Sequence, residues 1–340
     1  MSLKTLLDPE VKARFLKASH ANVVSHLKAL ENGLTRYSKN PSIVPPRTKA
    51  LTPSGDAIHL FMPVVDDVYC GVKTLGYNEK SGLGFVGSIN VLDPTNGLIR
   101  GVVDAKQVTG IRTALSSHIG LSHLSHKFDG IEKLNVTVFG SGLQAFWHSF
   151  VCAKLFSGKQ VDLNIVHRSK KLDDRELCNA CSNICSVNYV KIDSSDIGQL
   201  CRKSHVIFGT IPTSEPSIKE HFFRQVPEEI ESTSFTYISL IGSYQPHMHE
   251  CDNALVSAFR DQNAKIIVDS AEHTLLESGE LIDAHIEPSN LIEIGKLAST
   301  HDSCELEAKI GPKSITLCKI VGLAIMDIVT AKKLIEDDES

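Results

Sequence analysis

Two groups of residues in the chain have types and spacings that could do chemistry. The first is Gly140-Ser141-Gly142-Leu143-Gln144-Ala145, a G-x-G-x-x-A. Gly140 would permit a tight turn, Gly142 would let the backbone approach a pyrophosphate, and Ala145 would let a helix pack closely on a strand. The N–H groups of a helix starting at Leu143 and Gln144 would face the phosphates, where the helix dipole favours negative charge. About 20 residues further on, dinucleotide sites that take NAD keep an acid for the ribose 2′-hydroxyl. That position here reads His167-Arg168-Ser169-Lys170-Lys171, with no carboxylate. Arg168 can stack on adenine and, with Ser169 and Lys170, pair with a 2′-phosphate, so NADP(H) is favoured over NAD(H).

The second group is spread over the first third of the chain: Pro46-Arg47, Gly71-Val72-Lys73, and the run from Asp104 through Thr109 to Arg112-Thr113. Two guanidinium forks suit bidentate binding of a carboxylate, and a lysine in a semi-closed site can donate a proton or a hydrogen bond. Taken singly, Arg47, Lys73 and Arg112 read as surface charges. Two further clusters look like metal ligands: Cys178, Cys181 and Cys185, and His247-Met248-His249-Glu250-Cys251. Neither has a second ligand set at metal spacing, and the three cysteines are expected on one apolar helix face, so no metal is expected.

The elements that would position these residues follow from periodicity. Residues 134–139 form an apolar, β-branched run fit for a buried strand, and a helix follows to about residue 156. Strand signals recur at 161–166, 189–192, 205–209, 235–241 and 265–268, with helices near 175–185 and 197–202. This βαβα pattern implies a Rossmann-type doubly wound parallel sheet. Upstream, residues 1–45 are expected to be mostly helical, with Asp8 as an N-cap before Pro9 and a core stripe of Val23, Val24, Leu27, Leu30 and Leu34. Strands at 57–62, 69–75, 84–92 and 97–103 follow, the last two joined by the turn Asp93-Pro94-Thr95-Asn96-Gly97. A helix from Thr113 to about Ser125 leads onward, and a last helix is expected from Ser314. The fold class is therefore α/β, with a second α+β domain. That domain spans 1–116 with a return of 315–340, and the dinucleotide domain spans 117–314.

Composition narrows the partners. The 340 residues carry a net charge of −5 with no block of like charges before the short acidic tail, which argues against a nucleic-acid or acidic-membrane partner. The longest apolar stretch, 315–329, is interrupted by Lys319 and Asp327 and is too short to span a bilayer. The start of the chain carries Lys4, Asp8, Glu10, Lys12 and Arg14, not a signal-peptide core. Nine cysteines, an odd number, read as free thiols in a cytoplasmic protein.

Taken in order, these motifs resemble the ornithine cyclodeaminase/mu-crystallin family. The resemblance continues in Gly209-Thr210, in Ile241-Gly242-Ser243-Tyr244-Gln245-Pro246 with Glu250, in Val268-Asp269-Ser270, and in Val321-Gly322-Leu323-Ala324 with Asp327. It implies a homodimer, a substrate-binding and dimerisation role for the 1–116 domain with its 315–340 return, and roles for matching residues. Arg47 and Arg112 would bind a substrate α-carboxylate, and Lys73 would stand between substrate and nicotinamide. Thr113 would lie near the cofactor phosphates, and Val321-Gly322 near the nicotinamide. Cyclodeaminases of the family carry a catalytic aspartate two residues after the glycine matching Gly242, and here that position is Tyr244. A phenol with an ordinary pKa of about 10 is a poor replacement for that base. The resemblance thus implies NAD(P)H-dependent reduction of 2-imino carboxylates, in the manner of the family's ketimine reductases. The alternatives are an amino-acid cyclodeaminase using His247 or Asp252 as base, and an NADP-dependent small-molecule binder without turnover.

Overall fold

The computed structural model describes residues 3–224, 233–299 and 303–337. The chain divides into two units, one of Met1–Ser116 with Gly322–Ser340 and one of Ser117–Val321. It runs through β1 (Lys4–Leu6), α1 (Asp8–Leu16), α2 (His20–Lys39), β2 (Thr48–Leu51), β3 (Ile58–Val65), β4 (Cys70–Tyr77), β5 (Phe85–Leu92), β6 (Ile99–Asp104) and α3 (Ala105–His123). The second unit continues with β7 (Lys133–Phe139), α4 (Leu143–Leu155), β8 (Gln160–His167), α5 (Arg175–Ala180), β9 (Ile184–Lys191), α6 (Ile197–Lys203), β10 (Val206–Gly209) and α7 (His221–Arg224). It closes with β11 (Phe235–Leu240), α8 (Asn253–Asp261), β12 (Ile266–Val268), α9 (Ala271–Glu277), α10 (Gly279–Asp283), β13 (Leu291–Glu293), β14 (Ala308–Ile310) and β15 (Lys313–Lys319). The chain then returns to the first unit as α11 (Ala324–Glu336).

In the first unit, the described strands form one sheet in the order β1-β6-β5-β4-β3-β2, antiparallel except where β1 joins β6. Helices α11 and α2 pack together, and α11 covers one face of the sheet. The alternation of strands decides what points at it: Val64, Lys73, Ile89, Val91 and Val103 are buried on that side. The hairpin between β5 and β6 forms as its turn residues imply, with the Asp93 N–H and the Leu98 carbonyl closing it. Asp8 is not a cap but the first residue of α1. Its N–H is taken by the Asp104 carboxylate, and its own carboxylate accepts from the Gln107 N–H at the start of α3. The two acids thereby satisfy orphan donors on each other's helices.

In the second unit, the order is β13-β12-β15-β11-β10-β7-β8-β9, all parallel, with β14 antiparallel against the start of β15. Strands β7, β8 and β9 progress one way and β10 and β11 the other, so the topological switch point lies between β7 and β10. The expected Rossmann-type sheet is present.

Several elements differ from the expectation. Residues 313–319 form β15, a fully buried strand next to β11, and not the start of the last helix, which begins at Ala324. Helix α3 starts at Ala105, eight residues before Thr113. Its hydroxyls explain why its first half does not look helical: Thr109, Thr113 and Ser116 each bond the carbonyl four residues back. Such residues offer the backbone an alternative and score poorly as helix formers. Helix α5 is short, and Cys185 lies in β9, so the three cysteines do not share a helix face: Cys178 and Cys185 are exposed and Cys181 is buried. Among the described residues no helix is long and apolar enough to cross a membrane. The acidic tail from Asp338 to Ser340 lies outside the described residues.

Candidate active site

In the first unit, one buried carboxylate gathers two of the expected residues. Lys73, on β4, is 1% exposed, and its Nζ donates to Asp327 Oδ1 at 2.8 Å and to Thr109 Oγ1 at 2.8 Å. Thr109 spends its hydroxyl proton on the Ala105 carbonyl, so its oxygen lone pairs face the lysine. Arg112, on α3, places Nε 3.3 Å from the same Asp327 oxygen. Its Nη1 lies 3.4 Å from Met326 Sδ, a weak acceptor that leaves the Nη edge able to take a stronger one. Gly322 holds φ +98°, and a Cβ there would come within 3.1 Å of both Nη atoms, so only glycine lets the guanidinium lie where it does. Burial pushes the Lys73 ammonium down, Asp327 raises it, and Arg112 lowers it again. Arg47 is exposed at the entry to β2. Thr48 pairs with Phe61 and Met62 with Lys73, so the register places Arg47 on the line of Lys73, two strands away, or about 10 Å. Thr113 is buried and donates its hydroxyl to the Thr109 carbonyl at 2.7 Å.

In the second unit, the glycine turn is built as a dinucleotide cradle. Gly140 holds φ +125°, and a Cβ there would fall 2.3 Å from Thr210 Oγ1. Thr210, after Gly209 at the end of β10, donates both its N–H and its hydroxyl to the Phe139 carbonyl, which locks the two strand ends at the switch point. Gly142 faces open space, and no side chain caps the N-terminus of α4, so that helix end suits an anion. Ala145 is buried against the sheet. The basic turn after β8 is tied in place. Ser141 Oγ donates to the Lys170 carbonyl at 2.7 Å, and Lys191 Nζ to the Arg168 carbonyl at 2.9 Å. His167 is buried, and Arg168 and Ser169 are exposed. Arg168 borders a cavity of about 390 Å³ whose other polar walls include Asp193, Ser194, Thr213, Glu215 and Lys219. These features fit a dinucleotide: phosphates at the bare helix end, and an adenosine in the cavity.

The sequence profile of the ornithine cyclodeaminase/mu-crystallin family matches residues 9–340. The chain belongs to this family. It is similar to an uncharacterized protein of Saccharomyces cerevisiae, 40% identical over 366 aligned residues that cover 98% of this chain and 97% of the relative. It is also similar to the ketimine reductase mu-crystallin of Rattus norvegicus, 24% identical, with 89% of this chain and 88% of the relative covered. Its fold is similar to that of Delta(1)-pyrroline-2-carboxylate reductase from Thermococcus litoralis, solved in complex with NADH and L-proline. That likeness has a TM-score of 0.72 at 20% identity and covers 99% of this chain and 98% of the other.

Tyr244 lies in the loop after β11. Tyr244 is 42% exposed at the loop tip. The loop root is held by Glu250, fully enclosed, whose Oε1 accepts from the Ile211 N–H at 3.0 Å and whose Oε2 accepts from Gly242 and Ser243. Lys319, at the end of β15, lies 3.1 Å from Glu280 and 4.0 Å from Glu250. Of the substitute bases considered, Asp252 is occupied as the N-cap of α8, bonding the Leu255 and Glu220 N–H groups, and His247 is exposed. The sequence reading assigned no role to Asp327, Glu250 or Lys319. For Lys319 and Asp327 the signal was a charge inside an otherwise apolar run, which in a buried element has to be paired; Glu250, in a polar stretch, gave none.

Burial and the neighbouring Glu280 push Glu250 up to about 7, against the pull of Lys319. A carboxyl raised in the folded state contributes stability that is present below its unfolded pKa and is lost as pH rises through the folded value. Glu250→Gln turns an amide NH₂ toward backbone N–H donors and should lower the unfolding free energy by about 1–3 kcal/mol. The gap between wild type and variant in urea midpoint should be widest at about pH 4 and narrow as pH rises through about 7. Equal midpoints at every pH would contradict the assignment.

Proposed function

We propose that the chain is an NADP(H)-dependent reductase of 2-imino carboxylates, cyclic or linear. The observation that carries this reading is the buried trio of Lys73, Asp327 and Arg112, which has one net positive charge when both bases are protonated, the complement of a single carboxylate. Arg112, with Arg47, binds the carboxylate next to the C=N bond, and Lys73 donates a hydrogen bond or a proton to the nitrogen. A bound nicotinamide supplies the hydride for the C=N carbon. No carboxylate base is needed on the Tyr244 loop for this direction, because reduction takes up a proton at the imine nitrogen, which Lys73 supplies, and abstracts none. That absence supports reduction over cyclodeamination.

The preference for NADP(H) rests on the 167–171 turn. Arg168, Ser169 and Lys170 offer donors and charge for a 2′-phosphate, while Asp193 and Glu215 on the cavity wall are acceptors for ribose hydroxyls or the adenine amine. Val321 and Gly322 flank the nicotinamide. The working assembly is a homodimer formed through the sheet face of the first unit that α11 does not cover. Phe61, Val65, Val86 and Ile99 are 42, 62, 42 and 53% exposed, and the strand register puts them on that one face. The described cysteines, all unpaired, support a cytosolic setting.

With Δ1-piperideine-2-carboxylate or Δ1-pyrroline-2-carboxylate, NADPH absorbance should fall rapidly and NADH absorbance slowly. Lys73→Ala and Arg112→Ala should each cut kcat/KM by about a hundredfold or more without changing NADPH affinity. Ammonia release from ornithine with no net change in nucleotide would overturn the reading in favour of a lyase. Arg168→Ala should weaken NADPH binding by about 10–100-fold and leave NADH within about threefold, the loss of one charge-assisted contact; equal losses for both would reject the 2′-phosphate assignment. Sedimentation at micromolar concentration should give a dimer that Val65→Lys converts to monomer, and a monomeric wild type would reject that interface.

A further inference from the structure

Asp327 has no role in the reading above beyond the charge it carries, yet its setting is the most constrained in the first unit. It stands in the first turn of α11 and is fully buried. Its Oδ1 takes Lys73 Nζ at 2.8 Å and Arg112 Nε at 3.3 Å, and Oδ2 has no hydrogen-bond partner among the described residues.

We propose that Asp327 is the positioning residue for Lys73: it holds the ammonium in place and is the anion that lets it stay protonated in dry surroundings. The argument rests on what faces the lysine. Two charged groups do so, Asp327 from α11 and Arg112 from α3, and the third contact is the neutral Thr109 oxygen. Without Asp327, two cations would share one enclosed space. The guanidinium keeps its proton under all ordinary conditions, so the lysine is the group that would give its proton up. A neutral Lys73 would be an acceptor where the imine nitrogen needs a donor. The geometry agrees, since Asp327 and Thr109 fix two of the three ammonium N–H bonds and leave the third unused among the described residues. For its kinetic consequence the inference rests on the reductase reading, but the charge state of Lys73 can be read without turnover.

The test uses the full chain as wild type, Asp327→Asn and Asp327→Glu, with thermal unfolding as a check that each is folded. Lysine ¹³Cε shifts are titrated by NMR, with the Lys73 signal assigned by its loss in Lys73→Met. In Asp327→Asn the Lys73 transition should move down by about one pH unit or more, and in Asp327→Glu it should return toward wild type. NADPH-dependent imine reduction by Asp327→Asn should fall by about tenfold at pH 8 and recover at lower pH, because the alkaline limb of kcat moves down, while the NADPH Kd stays within about twofold. An unmoved Lys73 transition in Asp327→Asn, or a rate loss equal at every pH, would overturn the proposal. If the wild type reduces no imino carboxylate, the reductase reading fails by itself, and the NMR titration still decides the role of Asp327.

Discussion

A fully buried carboxylate between two buried cations is the constraint on which the first unit depends. Asp327 is 254 residues from Lys73 and 215 from Arg112 along the chain, yet all three meet at one oxygen. Taking a charge out of water costs several kcal/mol unless a partner and good geometry compensate. None of the three can therefore be buried without the others, and α11 has one register against β4 and α3 that satisfies them all. The same requirement that docks the returning chain also sets out a lysine and a guanidinium edge ready for an anion. The trio carries one surplus positive charge when both bases are protonated.

The second unit meets the same constraint by different means. Lys319, Glu250 and Glu280 are enclosed at the carboxyl ends of the central strands. Glu250 spends its oxygens on backbone N–H groups of the loops after β10 and β11. A carboxylate used this way replaces the ladder partners that the strands lose where they end. It fixes the roots of the loops that carry Thr210 and Tyr244, next to the switch point where the doubly wound sheet opens a crevice. The glycine turn needs such support because its own virtues are absences: no Cβ at Gly140, nothing near Gly142, no cap on α4.

Where local signals agree, the sequence is a good guide. The run of 134–139, the glycine turn and the helix behind it reinforce one another, and β7, the turn and α4 lie where they point. The hairpin at Asp93 to Gly97 reads equally well, since turn chemistry at that spacing admits few other structures. Misreadings occur where tertiary burial overrides local preference. Residues 313–319 alternate small polar and apolar side chains within a longer apolar stretch, and period alone does not separate a buried strand from a buried helix there. The first half of α3 contains Thr109 and Gly110, poor helix formers, and is helical because its apolar residues Val108 and Ile111 are buried. Lys319 and Asp327, which interrupt the longest apolar stretch of the sequence, are each the charged centre of a buried network.

By itself the sequence determined the class of the fold, the place of the glycine turn, and the lack of an acid after the second strand of that unit. These are local in the chain, written in spacing and residue type. Only the tertiary structure decided that Lys73 and Arg112 share a carboxylate, that Asp252 is a helix cap and so is committed, and that Glu250 holds the Tyr244 loop. Each of these joins residues distant in sequence through burial. What a charge does in a protein depends on whether water is near it, and that is settled by the packing of the whole chain.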